Sequence, residues 1–402
     1  MQNKQQALFT FQFFLLCLST ALFSASFNMI IPELPEFLTK LGGAEYKGLI
    51  IGLFTLTAGL SRPLSGKLTD NIGRIPVMVF GTLICVSASL FYPFVTTVFA
   101  FLLLRLFHGF STGFKPTAST AYVADIVPAA RVGEAMGILG ISMNFGASIS
   151  PPIGSHFAMI WSLDAMFYIS SGLALISALI LIGLPETKKD KPPFSWSLFK
   201  ITRHDIYDPS ALAPAIVTVF TYSSFGVLLT IVPDQSTYVG LENKGMFFTV
   251  FTVASIASRF FAGKTSDIYG PIPVMKIGAV ILAIALVIMG LASSPFVLMT
   301  GSGILGFAAG MNSPAVFSWA IERCSPAHRG RAMATVYIAL EVGIGLGAVV
   351  SAWLYHNDYS RFGLTFYTFA GIALLAPLYL QFIYKEENTV YPGRNDPGIH
   401  SN

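Results

Sequence analysis

Residues 61–78 read SRPLSGKLTDNIGRIPVM, and residues 258–275 read SRFFAGKTSDIYGPIPVM. At an offset of 197 the two segments agree at ten of 18 positions without a gap. Chance agreement is about one position, so the chain carries an internal duplication. The same register ties Gly109, Phe110 and Gly113 to Gly306, Phe307 and Gly310. It continues from Gly133, Ala135 and Met136 to Gly330, Ala332 and Met333. A slightly longer offset sets Ile31-Pro32-Glu33 beside Val232-Pro233-Asp234.

The duplicated material is apolar. A chain of 402 residues ordinarily makes two or three soluble domains, but only 11% of this one is charged, against about 25% in soluble proteins. Hydrophobic residues make up 54%, and 35 phenylalanines outnumber the 24 lysines and arginines together. Such a surface faces lipid, which defines an all-α integral membrane protein. The net charge of +4 is small and dispersed, which excludes nucleic acid as a partner. Cys17, Cys85 and Cys324 are odd in number and far apart, so they read as packing residues, not as disulfides or metal ligands. The run from Ala7 to Ile31 is too long for a signal-peptide core and reads as a first span.

With about 20 apolar residues needed per crossing, twelve spans are expected, near 7–31, 46–66, 75–95, 98–124, 133–159, 165–184, 208–233, 245–263, 273–293, 296–320, 332–355 and 362–384. They divide into a first six-helix bundle over 1–184, a basic linker over 185–207, a second bundle over 208–384 and a polar tail over 385–402. Placing the amino terminus inside leaves only Lys40, Lys47, Lys244 and Arg361 outside and Arg105 and Lys115 within the membrane. The other 18 basic residues then lie at the cytoplasmic side. That bias predicts both termini in the cytoplasm.

The duplicated six-helix arrangement resembles the major facilitator superfamily, over essentially the whole chain. Gly66-Lys67-Leu68-Thr69-Asp70-Asn71-Ile72-Gly73-Arg74 is similar to the family's G-x-L-x-D-x-x-G-R loop after the second helix. Arg105 with Gly109 and Gly113 resembles the signature of its fourth helix. Gly146-x-x-x-Ser150-Pro151-x-x-Gly154 resembles the antiporter motif of its fifth, with Ser150 and Ser155 where the family prefers glycine. The resemblance implies that Asp70, with Arg74 nearby, latches a cytoplasmic gate by facing the positive start of helix eleven. The second copy keeps Gly263, Asp267 and Gly270 but has Pro271 in place of Arg74, and so should latch less well. Pro151 and Pro152 should bend helix five, where the equivalent stretch of helix eleven has no proline.

Ionisable groups within spans are the candidate functional residues, because an unpaired charge in lipid is costly. At 100° per residue, Arg105, His108, Thr112, Lys115, Pro116 and Ser119 share one broad face of helix four, which the resemblance places on the central cavity. Glu341 is the carboxylate nearest the midplane, and its repeat equivalent on helix five is the uncharged Asn144. It suits a proton carrier, or else a structural partner of Lys115 or Arg105. Glu33 and Asp234 read as rim groups. Two motif matches fail on context. Gly109-Phe110-Ser111-Thr112-Gly113 fits a nucleophile elbow, but its repeat copy loses the serine. Gly301-x-Gly303-x-x-Gly306 fits a dinucleotide fingerprint, but follows no strand. Neither supports an enzyme.

The resulting expectation is a secondary transporter working by alternating access as a monomer in a bacterial inner membrane. It would export a small amphipathic organic compound or drug against proton entry, with no cofactor or metal. Sodium coupling stays open, as does proton-coupled uptake of an organic anion. A membrane-embedded enzyme or a channel ranks below both.

Overall fold

A computed structural model describes residues 10–128, 131–188, 208–324 and 329–384, with the side chains of 133, 260–264, 266–268 and 329–331 left aside. Helix is the only extended regular structure among the described residues. Twelve helices of 17 to 29 residues follow in order: α1 Phe11–Ile30, α2 Lys47–Asn71, α3 Arg74–Phe91, α4 Val98–Ile126, α5 Val132–Ile160, α6 Leu163–Ile182, α7 Leu212–Tyr238, α8 Met246–Tyr269, α9 Pro271–Gly290, α10 Pro295–Arg323, α11 Arg329–Tyr355 and α12 Phe362–Leu378. Nine of them, all but α4, α5 and α8, are long and apolar enough to cross a membrane by length and composition.

Helix starts follow local chemistry. Thr10, Thr97, Ser162 and Ser294 each accept a hydrogen bond from a backbone N–H of the first turn, meeting a donor that the helix cannot satisfy itself. Pro271 and Pro295 occupy first-turn positions where no N–H is required. Large apolar side chains such as Phe99, Phe145, Phe296, Trp353 and Phe382 point outward uncovered, as a lipid-facing surface requires.

Packing repeats between the halves. α1 lies on α5 and α6, α2 on α4, and α3 on α4; correspondingly α7 lies on α11 and α12, α8 on α10, and α9 on α10. Small residues set the approach. Gly109 and Gly113 press on the Phe54 and Ala58 carbonyls of α2, and their copies Gly306 and Gly310 press on the Phe251 and Ser255 carbonyls of α8. A side chain at any of the four would collide with backbone, so these glycines are packing residues. The halves meet along α2 with α11 and α5 with α8.

Candidate substrate and coupling site between the halves

Arg62 lies eight residues before Asp70 on α2, about 12 Å deeper along the helix. Its Nη2 donates to Glu341 Oε1 across the seam at 2.6 Å. Glu341 is the thirteenth of the 27 residues of α11, near its centre. The pair is nearly closed off, with side-chain exposures of 12% and 9%. Gly59 makes room for it, since a Cβ there would stand 3.3 Å from that of Glu341. The Arg62 guanidinium also covers the Tyr337 ring at 4.8 Å. Glu341 therefore does not pair with Lys115 or Arg105.

Those two residues, with His108, are buried inside the amino-terminal half. Arg105 Nε donates to the Ile50 carbonyl at 2.8 Å and Nη1 to the Tyr92 hydroxyl at 3.2 Å. The His108 ring sits between Cys85 Sγ at 3.3 Å and Tyr92 Oη at 3.4 Å. Lys115 Nζ donates to the Ser19 carbonyl at 3.1 Å and lies over the Phe23 ring. Thr112 returns its hydroxyl to the Gly109 carbonyl at 3.1 Å. The polar face of α4 thus turns into its own bundle, where neighbouring helices supply acceptors. Asn144 is half-buried on α5.

Neither Arg62 nor Arg259, its copy at the 197-residue offset, stands out in the sequence, because both border the charged loop and read as cytoplasmic-rim charges. The signal that finds them is the repeat: each is the second residue of the matched segment, about two helical turns before its loop aspartate. Arg259 Nε is buried without a hydrogen-bond partner. The Tyr222 hydroxyl of α7 hydrogen-bonds with Ser313 and lies within electrostatic reach of the Arg259 guanidinium. A small cavity of about 10 Å³ lies behind Tyr222, between Thr221, Phe225, Leu282, Ala309 and Asn312. Neither amide atom of Asn312 is bonded.

The loop motif is mostly helix. α2 continues to Asn71, so Gly66 and Asp70 lie on it and only Ile72 and Gly73 turn the chain. Gly73 and its copy Gly270 have φ of 131° and 84°, which favour glycine. Arg74 Nη1 donates to Asp70 Oδ1 at 3.1 Å, and Nε to Asp125 Oδ2 at 2.9 Å. Glu186 accepts from the first backbone N–H groups of α3, those of Arg74 and Ile75. Asp70 is 70% exposed and bound within its own half. Gly263 and Asp267 lie on α8, but the surroundings of their side-chain positions are outside the described residues, as are residues 325–328 just before α11.

At the other end the halves are tied together. Lys47, at the start of α2, pairs with Asp234 at the end of α7, and Asp234 also accepts from the Tyr355 hydroxyl at 3.1 Å. Lys244, just before α8, reaches Glu33 at 3.4 Å and Glu36 at 2.5 Å. Glu33 accepts from Ser155 Oγ at 2.7 Å. Burial alone would lower the Lys244 pKa, but Glu33 and Glu36 outweigh it and hold it above the ordinary lysine value. Pro151 and Pro152 lie in mid-α5. Pro152 has no N–H for the Ser148 carbonyl, which accepts instead from Thr249 of the other half at 2.7 Å. Gly245 packs against this proline pair, while Gly146 and Gly154 press on α1 within their own half.

The sequence profile described as Major Facilitator Superfamily matches residues 16–233 and again 214–398. The multi-drug resistance efflux pump PmrA homolog of Lactococcus lactis is 27% identical over 307 residues, 73% of this chain and 76% of that protein. The multidrug resistance protein MdtG of Klebsiella pneumoniae is 24% identical over 369 residues, covering 88% and 89%. Among solved structures, a D-xylose-proton symporter aligns with a TM-score of 0.77 at 17% identity, over 93% of this chain and 97% of that one. The human organic anion transporter MFSD10 aligns at 0.68 and 20%, over 92% and 98%. The repeated packing, the seam and these likenesses agree, and the chain belongs to the Major Facilitator Superfamily of membrane transporters, not to an enzyme class.

Proposed function

We propose that this transporter exports small amphipathic organic compounds in exchange for protons, with Glu341 as the proton carrier. The multidrug pumps among its relatives support export of drug-like compounds. The observation that carries the coupling is the Glu341–Arg62 pair, which joins the halves at mid-depth. Ionised Glu341 holds Arg62 and ties α11 to α2. A proton on Glu341 removes that attraction, leaving Arg62 with the Tyr337 ring, and frees the halves to reorient. In this reading the termini and the exposed Asp70–Arg74 end face the cytoplasm, twelve helices span a bacterial plasma membrane, the chain works as a monomer, and the tied end is the external gate. Asp70 latches the cytoplasmic end in the opposite state.

Everted vesicles test this through the pH change that a substrate induces. Glu341→Gln keeps the shape and hydrogen bonding of the side chain but cannot lose or gain the proton. It should bind substrate and yet fail to accumulate it against a gradient. Proton-driven transport at the normal rate in Glu341→Gln vesicles would remove Glu341 from the coupling role.

A further inference from the structure

The repeat supplies an arginine to both sides of the seam and a carboxylate to only one. Arg62 on α2 faces α11, where position 341 is glutamate. Arg259 on α8 is its copy in the repeat, α8 packs on α5, and the position of α5 equivalent to 341 holds Asn144. No carboxylate pairs with Arg259 among the described residues, and its Nε has no hydrogen-bond partner. An arginine cannot shed its proton to escape such a site. A cation at mid-membrane depth calls for an anion in at least part of the working cycle.

We infer that Arg259 and the Tyr222 hydroxyl together receive an acidic group of the substrate, so that the transported compounds are organic anions with an apolar body. This rests on the transporter reading above, but not on its direction or coupling. The chemistry fits a carboxylate or sulfonate. The planar guanidinium offers paired N–H donors to two oxygens, and Tyr222 adds an O–H. Asn312, behind the Tyr222 ring with both amide atoms unbonded, offers a further donor. Phe225 stacks on Tyr222 with ring centres 5.1 Å apart, and Phe317 packs on Tyr337 at 5.1 Å. The Tyr222–Phe225 pair gives an aromatic or aliphatic body an apolar surface for the part of the substrate behind its acidic head.

Equilibrium binding to the purified protein tests the site separately from transport, using 1-naphthoate, its neutral amide and the naphthylmethyl-trimethylammonium cation. Wild type should bind naphthoate at least tenfold more tightly than the amide, and the cation least. Arg259→Gln should bring the acid and the amide within about twofold of each other. Asn144→Glu should do the same by supplying the missing carboxylate from within, and it keeps the test decisive if Arg259→Gln does not fold. Preference for the cation in wild type, or an acid-to-amide ratio unchanged in either variant, overturns the assignment. Retained binding selectivity without any vesicle transport would instead count against the coupling scheme and leave this site standing.

Discussion

Glu341 and Arg62 differ in what each can do once its partner is gone. A carboxylate left alone takes up a proton and becomes neutral, whereas a guanidinium stays charged. Glu341→Gln should therefore destabilise the protein more than Arg62→Gln, by about 2 kcal/mol for the former. The double variant should recover about half of that loss, because no charge is then stranded. Melting temperatures of the four purified proteins in detergent give the comparison, and equal losses with simple addition would mean that the pair is not coupled. Glu341 was legible from the sequence because a carboxylate in an apolar run has few innocent explanations. The stripe of Arg105, His108 and Lys115 was legible as a polar face but not as one turned toward Ser19, Cys85 and Tyr92. In lipid, a bundle interior and a cavity wall both attract polar residues, so periodicity alone does not separate them.

The helices themselves were largely readable, and the misreadings have local causes. α2 runs past its apolar stretch to Asn71 because Gly66 to Asp70 carry no helix-stopping geometry, and the positive φ falls at Gly73. The proline pair in α5 was legible as a lost backbone N–H, but the Thr249 hydroxyl that takes the spare carbonyl was not, since it comes from a helix about 100 residues away. The bridges from the starts of α2 and α8 make a testable latch. Lys47→Ala and Lys244→Ala should each loosen the closed end by about 1 kcal/mol. They share no partner, so the double change should add to about 2 kcal/mol. A cysteine at Ile51, buried near this end, in a background lacking the native three, should then react with an impermeant maleimide about thirtyfold faster. Protons should not open the same latch through Lys244. The Lys244 pKa is raised, so its bridge is complete below the ordinary lysine value of about 10.4 and is lost only as pH rises through the raised one. Lowering pH from about 8 to about 6 leaves that cation in place. A labelling rate at Ile51 that climbs steeply over this interval in wild type, and not in Lys244→Ala, would contradict this.

For the whole molecule, the duplication was the most legible feature, because ten matches in 18 residues need no structure to be seen. What it implied about partners was not legible until the halves were packed, since only then does Arg62 meet Glu341 across the seam while its copy Arg259 keeps no carboxylate partner among the described residues. The closed end follows the same duplication without loss: Lys47 and Lys244 are 197 residues apart, and Glu33 and Asp234 are 201 apart. Each half thus presents the same plug and the same socket, which makes that end a self-complementary, isologous surface of near two-fold symmetry. A lone amino-terminal half, residues 1–188, should accordingly pair with a second copy of itself, Lys47 of each on Glu33 of the other, and be trapped as a crosslinked homodimer. Exchanging the two charges within that half, Lys47→Glu with Glu33→Lys, should leave the homodimer intact. The same exchange in the full chain should force the ends apart, because there the other half keeps the original signs.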